Sequence, residues 1–185
     1  FTEGVWPLEI AKTLEPIFSE NGNHSGEAKM LEVLVEDEKV DFAAADMWRR
    51  LLELYDNQLN QRLDAYRCAA RSFAYDSRDE GLANALLRLS ESPEEYRESR
   101  DAFRGIATKL KAESLQRMSL RAAQAGLALD EPEQTLKDVF FAFGSDEDTR
   151  TAAGVVVEQV VPAALDTESL YELALEYEEG VEDSL

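Results

Sequence analysis

The chain has 185 residues, 44% of them apolar and 9% aromatic, with one cysteine, one histidine and a net charge of -20. That length and apolar content suit one compact domain with a substantial core, and they argue against an ordinary disordered chain. An internal disulfide and the usual zinc sets are excluded, as is a membrane-spanning helix, because no run of about 18 apolar residues exists.

Taken from the start, Trp6, Ile10, Leu14 and Phe18 fall on one helical face, and Pro7 suits a first turn. Pro16 lacks an N–H and crowds the turn before it, so a helix kinked or split near Glu15 is expected. Residues 21–26 read as a loop, since glycine and asparagine tolerate left-handed backbone. Asn23-His24-Ser25 also spells a glycosylation sequon, a triplet common by chance. Met30 to Val35 is expected helical, because no partner strand follows nearby.

Phe42 to Phe73 is the longest phased stretch. Phe42, Ala45, Trp48, Leu52, Tyr55, Leu59, Leu63, Tyr66, Ala70 and Phe73 step by three or four, which predicts one continuous helix about 48 Å long as a central rod. Asp41 is placed to cap it. On its solvated side Asp46 with Arg50 and Arg49 with Glu53, each four apart, are expected to pair. Cys68 points away from the apolar stripe toward a second packing surface, and Arg67 and Arg71 beside it would favour its thiolate.

Tyr75 to Gly81 reads as a turn before a short helix with Leu82, Leu86 and Leu89. Ser92-Pro93-Glu94-Glu95 is a helix start: serine caps, proline presets the first turn, and Glu95 completes a capping box. Tyr96, Phe103, Ile106 and Leu110 share a face, whereas Leu115, Met118 and Ala122 lie nearly half a turn away. The segment therefore either breaks near Lys111 to Ser114 or changes neighbours along its length. Arg97, Arg100, Arg104 and Lys111 form a basic stripe, whose expected role is to accept the acidic C-terminal third of the same chain. A phosphate, nucleic acid or acidic peptide is the alternative occupant.

Gly126 to Pro132 is a connection, after which Leu136, Val139, Phe140 and Phe143 form an apolar helical face closed by Gly144. Residues 145–148 read as an acidic helix entry. The valines between 152 and 164 suit helix or strand, and the helical context favours helix. A last helix is expected from Thr167, with Leu170, Leu173, Tyr177 and Val181 as its seam.

Charge is spread unevenly along the chain. Phe1 to Leu129 carry 23 acidic and 17 basic residues, whereas Asp130 to Leu185 carry 16 acidic residues against Lys137 and Arg150 alone. Such a field repels nucleic acid and anionic membrane and attracts basic partners. Solubility, or a salt-rich cytoplasm, would produce the same bias, and 6 lysines against 13 arginines fit the latter.

No familiar chemistry survives inspection. His24 belongs to no Glu-x-x-His pair, residues 145–148 lack the glycine and ligand spacing of an EF-hand, and no glycine-rich phosphate loop occurs. Glu53-x-x-Asp56 could hold magnesium with Glu91-x-x-Glu94 or Glu95-x-x-Glu98, as paired acids do in some all-helical nucleotide hydrolases. In so acidic a chain, coincidence explains these pairs better.

The sequence thus predicts an all-α protein, a single bundle of about seven or eight helices organised on one long central helix. It is expected to be one domain over 1–185, with a subdivision between 1–129 and 130–185. The expected function is that of a non-enzymatic, cytoplasmic interaction module, an adaptor or regulator whose acidic surface engages a protein with a basic surface. The assigned partner-binding residues are Asp146, Glu147, Asp148, Glu172, Glu176, Glu178 and Glu179. No catalytic residue, metal ligand, cofactor, membrane contact or direct nucleic-acid contact is assigned. An inhibitor that mimics nucleic acid, or a magnesium-dependent nucleotide hydrolase, are the alternatives.

Overall fold

The structure, a computed structural model, describes residues 6–107, 112–142 and 147–164. Nine α-helices and no strand occur among them: α1 Trp6–Glu20, α2 His24–Asp37, α3 Asp41–Glu53, α4 Arg62–Tyr75, α5 Glu80–Leu89, α6 Pro93–Ala107, α7 Ala112–Gly126, α8 Pro132–Ala142 and α9 Glu147–Ala164. The all-α class is therefore as expected. The chain separates into two compact units, Phe1–Leu89 and Ser90–Leu185. Helix packing does not break at residue 129, because α7 packs on α8 across it.

In the first unit α1 packs on α2, α3 on α4, and α4 on α5. The long central helix does not exist. From Leu54 to Gln58 the backbone widens into a π-turn, in which Leu59 N–H reaches Leu54 O at 2.9 Å. Asn60 then takes a left-handed conformation at φ 53, and Gln61 N–H closes on Tyr55 O at 2.8 Å. Asparagine tolerates that conformation and the late carbonyls find donors, so the chain stops and α4 folds back on α3. The apolar phase survives this reversal, which is why spacing alone reads it as one rod. Its membership shifts: Ala45, Tyr55, Tyr66 and Phe73 are buried, but Phe42 is 75% exposed and Leu63 43%, while Leu51, off the expected stripe, is fully buried.

Three smaller expectations also change. Helix α1 runs through Pro16 without splitting, and Ala11 is its fully buried residue while Ile10 is 48% exposed. The proline sits on the exposed side, where the carbonyl it leaves unbonded can be met by water. The loop before α2 is shorter than expected, with Asn23 capping the helix by accepting from Gly26 N–H at 3.0 Å. Gly26 lets α2 approach α1, because a Cβ there would come within 2.8 Å of the Phe18 ring. Asp41 does not cap α3; the N-cap is Val40, and Glu38 accepts from Lys39 and Val40 N–H at 2.9 and 2.8 Å, because the extended connection carries its carboxylate there first.

In the second unit the expected capping box forms at α6. Glu95 N–H donates to Ser92 Oγ at 3.2 Å, and Glu95 Oε2 accepts from Ser92 and Glu91 N–H at 3.0 and 2.8 Å. The change of apolar phase is a helix break: α6 and α7 are separate and packed together, with α7 also on α8 and α9. Leu120, Leu136, Val139, Ala153, Val156 and Val160 make the core of α7, α8 and α9. Gly126 brings α7 against α8, since a Cβ would meet Thr135 Oγ1 at 2.5 Å. The valine-rich stretch is helical to Ala164. Phe143, Gly144 and the helix expected from Thr167 lie outside the described residues.

Candidate functional site

Helix α9 begins at Glu147, so Glu147 and Asp148 occupy its first turn, where carboxylates oppose the positive end of the helix dipole, and both are exposed. The other residues assigned to the acidic surface, Asp146, Glu172, Glu176, Glu178 and Glu179, lie outside the described residues.

The basic stripe has a defined fate within the second unit. Arg97, Arg100 and Arg104 recur at three and four along α6, which aligns them with acids on and just before α8. Arg100 is 8% exposed and hydrogen-bonds Glu131, which Arg97 also approaches at 3.9 Å. Arg104 grips both oxygens of Asp138 at 2.6 to 3.1 Å. Burial pushes the Asp138 carboxyl up, against the opposing pull of its hydrogen bonds from Arg104 and of the Arg104 and Arg100 charges. The stripe thus meets acids of its own chain, as expected from its complementary charge. Lys111 lies outside the described residues.

Cys68, Asp56 and Glu95, weighed above for chemistry, are engaged otherwise. Cys68 is buried, and desolvation, with the charges of Glu32 and Asp64, pushes its thiol up to about 12, so the neighbouring arginines do not make a thiolate. Tyr55 donates to Glu32 Oε1 at 2.6 Å, and burial together with that bond raises its phenol above the ordinary value. Asp56 is held by both terminal nitrogens of Arg88, and Glu95 is spent on the capping box. Among the described residues no group of three or more His, Cys, Asp or Glu side chains could hold a metal ion.

Sequence reasoning missed the polar junction of the first unit. Arg50 does not pair with Asp46: its Nε bonds Glu27 Oε1 at 2.9 Å, its Nη2 bonds Ser19 Oγ at 3.1 Å, and Glu15 Oε1 lies 2.5 Å from it. His24 Nδ1 stands 3.8 Å from Glu27 Oε2 at the edge of this cluster. Arg49 likewise turns to Asp76 and Asp79, at 2.6 and 3.3 Å, and also to Asp46 at 3.5 Å. Apart from Asp46 with Arg49 and His24 with Glu27, each three apart on one helix, these partners come from different helices and loops, so no local spacing rule could find them. They fasten α1, α2 and α3 together, and α3 to the α4–α5 turn.

No family model, curated protein or solved structure matches this chain.

Proposed function

We propose that the chain is a non-enzymatic protein–protein interaction module, an adaptor or regulator, whose acidic C-terminal third engages a basic partner. One observation carries the reading. Between Asp130 and Leu185 there are 16 acidic residues against 2 basic ones, and on α6 Arg100 and Arg104 pair with Glu131 and Asp138 while Arg97 only approaches Glu131. The remaining surplus, including exposed Glu147 and Asp148, projects a field that steers a basic surface into contact. A buried free cysteine suits the cytoplasm, where thiols stay reduced.

The test is affinity capture from the native host, identification of the retained protein, and binding of the purified pair. Support is a partner whose binding weakens with salt and is lost when Asp146, Glu147, Asp148, Glu172, Glu176, Glu178 and Glu179 are changed together to their amides. Binding that ignores both salt and these changes overturns the reading. A partner displaced from DNA or RNA by this chain would instead be the target of a nucleic-acid mimic.

A further inference from the structure

The solvent face of α4 carries a row of arginines. Its inner face buries Ala65, Tyr66, Ala69, Ser72 and Phe73. On the outer side Arg67, Arg71 and Tyr75 recur every four residues, one row rising about 6 Å per step. Leu63 begins this side and Arg78 follows it in the next turn. Leu63 is 43% and Tyr75 46% exposed, and the side chain of Arg67 is 65% exposed. Arg67 has a loose contact with Asp64 at 3.3 Å, whereas exposed Arg71 and Arg78 make no ion pair among the described residues. On α3, by contrast, Asp46 and Glu53 are exposed, but Arg49 between them is already held by Asp46, Asp76 and Asp79.

Arginine and tyrosine are the residue types that most often dominate interface energies, and here they stand exposed with a leucine. We propose that the outer face of α4 is a docking surface for a short carboxylate-rich helical segment of a partner protein. Charge complementarity selects that occupant. Arginine forks match carboxylates bidentately, and two arginines four apart suit acids one helical turn apart. Leu63 and Tyr75 offer apolar ground at either end of the row. An extended polyanion is disfavoured, because a chain of net charge -20 repels DNA and anionic membrane over their length. A short segment needs attraction only within the screening distance of about 8 Å. This surface has the opposite sign to the acidic C-terminal third and does not depend on it, so the module has two faces for two partners.

The probe is a fluorescent amphipathic peptide with glutamates at every fourth position and leucines between, titrated into the full chain and followed by anisotropy. The expected result is binding that weakens with salt. Arg67→Glu with Arg71→Glu reduces it about tenfold or more, Tyr75→Ala reduces it less, and Lys12→Glu on α1 leaves it unchanged. Circular dichroism melts equal to that of the parent separate lost binding from lost folding. No binding, binding indifferent to Arg67→Glu with Arg71→Glu, or tighter binding of single-stranded DNA or phosphatidylserine vesicles at the same residues overturns the proposal. A dimer of the parent chain that Arg67→Glu with Arg71→Glu disperses would overturn it in favour of a second copy as occupant.

Discussion

Arg104 on α6 donates three hydrogen bonds to Asp138 on α8, from Nε to Oδ1 and Oδ2 at 2.9 and 3.1 Å and from Nη2 to Oδ2 at 2.6 Å. The Asp138 side chain is 10% exposed and that of Arg104 29%, so this pair is taken largely out of water. Desolvating two charges costs about as much as their attraction returns, and the raised carboxyl value shows burial prevailing at Asp138. The pair is therefore expected to set how Arg104 and Asp138 join α6 to α8 more than to add net stability.

Removing one partner should therefore be costly and removing both should not. Arg104→Met, which strands the carboxylate, is expected to destabilise the second unit by about 3 kcal/mol, and Arg104→Met with Asp138→Leu by less than about 1 kcal/mol. Chemical denaturation followed by circular dichroism checks both. A double variant as weak as the single one would show that the pair contributes on its own account.

The pH dependence has a definite sign. A carboxyl raised in the folded state binds its proton more tightly there, so its contribution is full below the unfolded value and is lost as pH rises through the folded one. A carbon-13 NMR titration should place the Asp138 midpoint above the ordinary carboxylate value. A midpoint below it would mean that Arg104, not burial, dominates.

Asn60 separates the hairpin from a continuous rod by sign. With φ at 53, Asn60→Ala should cost about 1 kcal/mol and Asn60→Gly nearly nothing. In an unbroken helix alanine would stabilise the chain and glycine would weaken it by several tenths of a kcal/mol. Thermal melts of the two variants give the order.

Leu51 and Leu52 measure where the core lies. Leu51 is fully buried and Leu52 partly exposed, so Leu51→Ala is expected to cost about 3 to 5 kcal/mol and Leu52→Ala about half as much. Equal losses would restore the stripe that spacing predicts.

Cys68 should resist alkylation in the native protein at pH 8, because its thiol is buried and raised to about 12. Iodoacetamide labelling should keep pace with unfolding in denaturant. Rapid native labelling would contradict that burial.

Much of this fold is written in local rules. The Ser92–Glu95 box and the helix over the valines of α9 follow from capping chemistry and context, while the change of phase between α6 and α7 allowed either a break or a change of neighbours, and the helices separate between Ala107 and Ala112. The hairpin was hidden because a stripe can keep its phase across a reversal, and a left-handed asparagine leaves no periodic mark. Arg50 shows the other limit. Its real partners, Glu15 and Glu27, are brought to it by tertiary packing, while the nearest carboxylate at helical spacing, Asp46, goes to Arg49. At the acidic surface the sequence shows how much charge there is; which carboxylates stand free is a matter of pairing in space, as Glu131 and Asp138 illustrate.

The most direct measurement is the association rate of the captured partner with the parent chain and with the variant in which Asp146, Glu147, Asp148, Glu172, Glu176, Glu178 and Glu179 are amides, across a salt series. Steering by the acidic third requires a rate that falls steeply with salt for the parent and is slow and nearly salt-independent for the variant. Identical rates and identical salt slopes for the two proteins would contradict it.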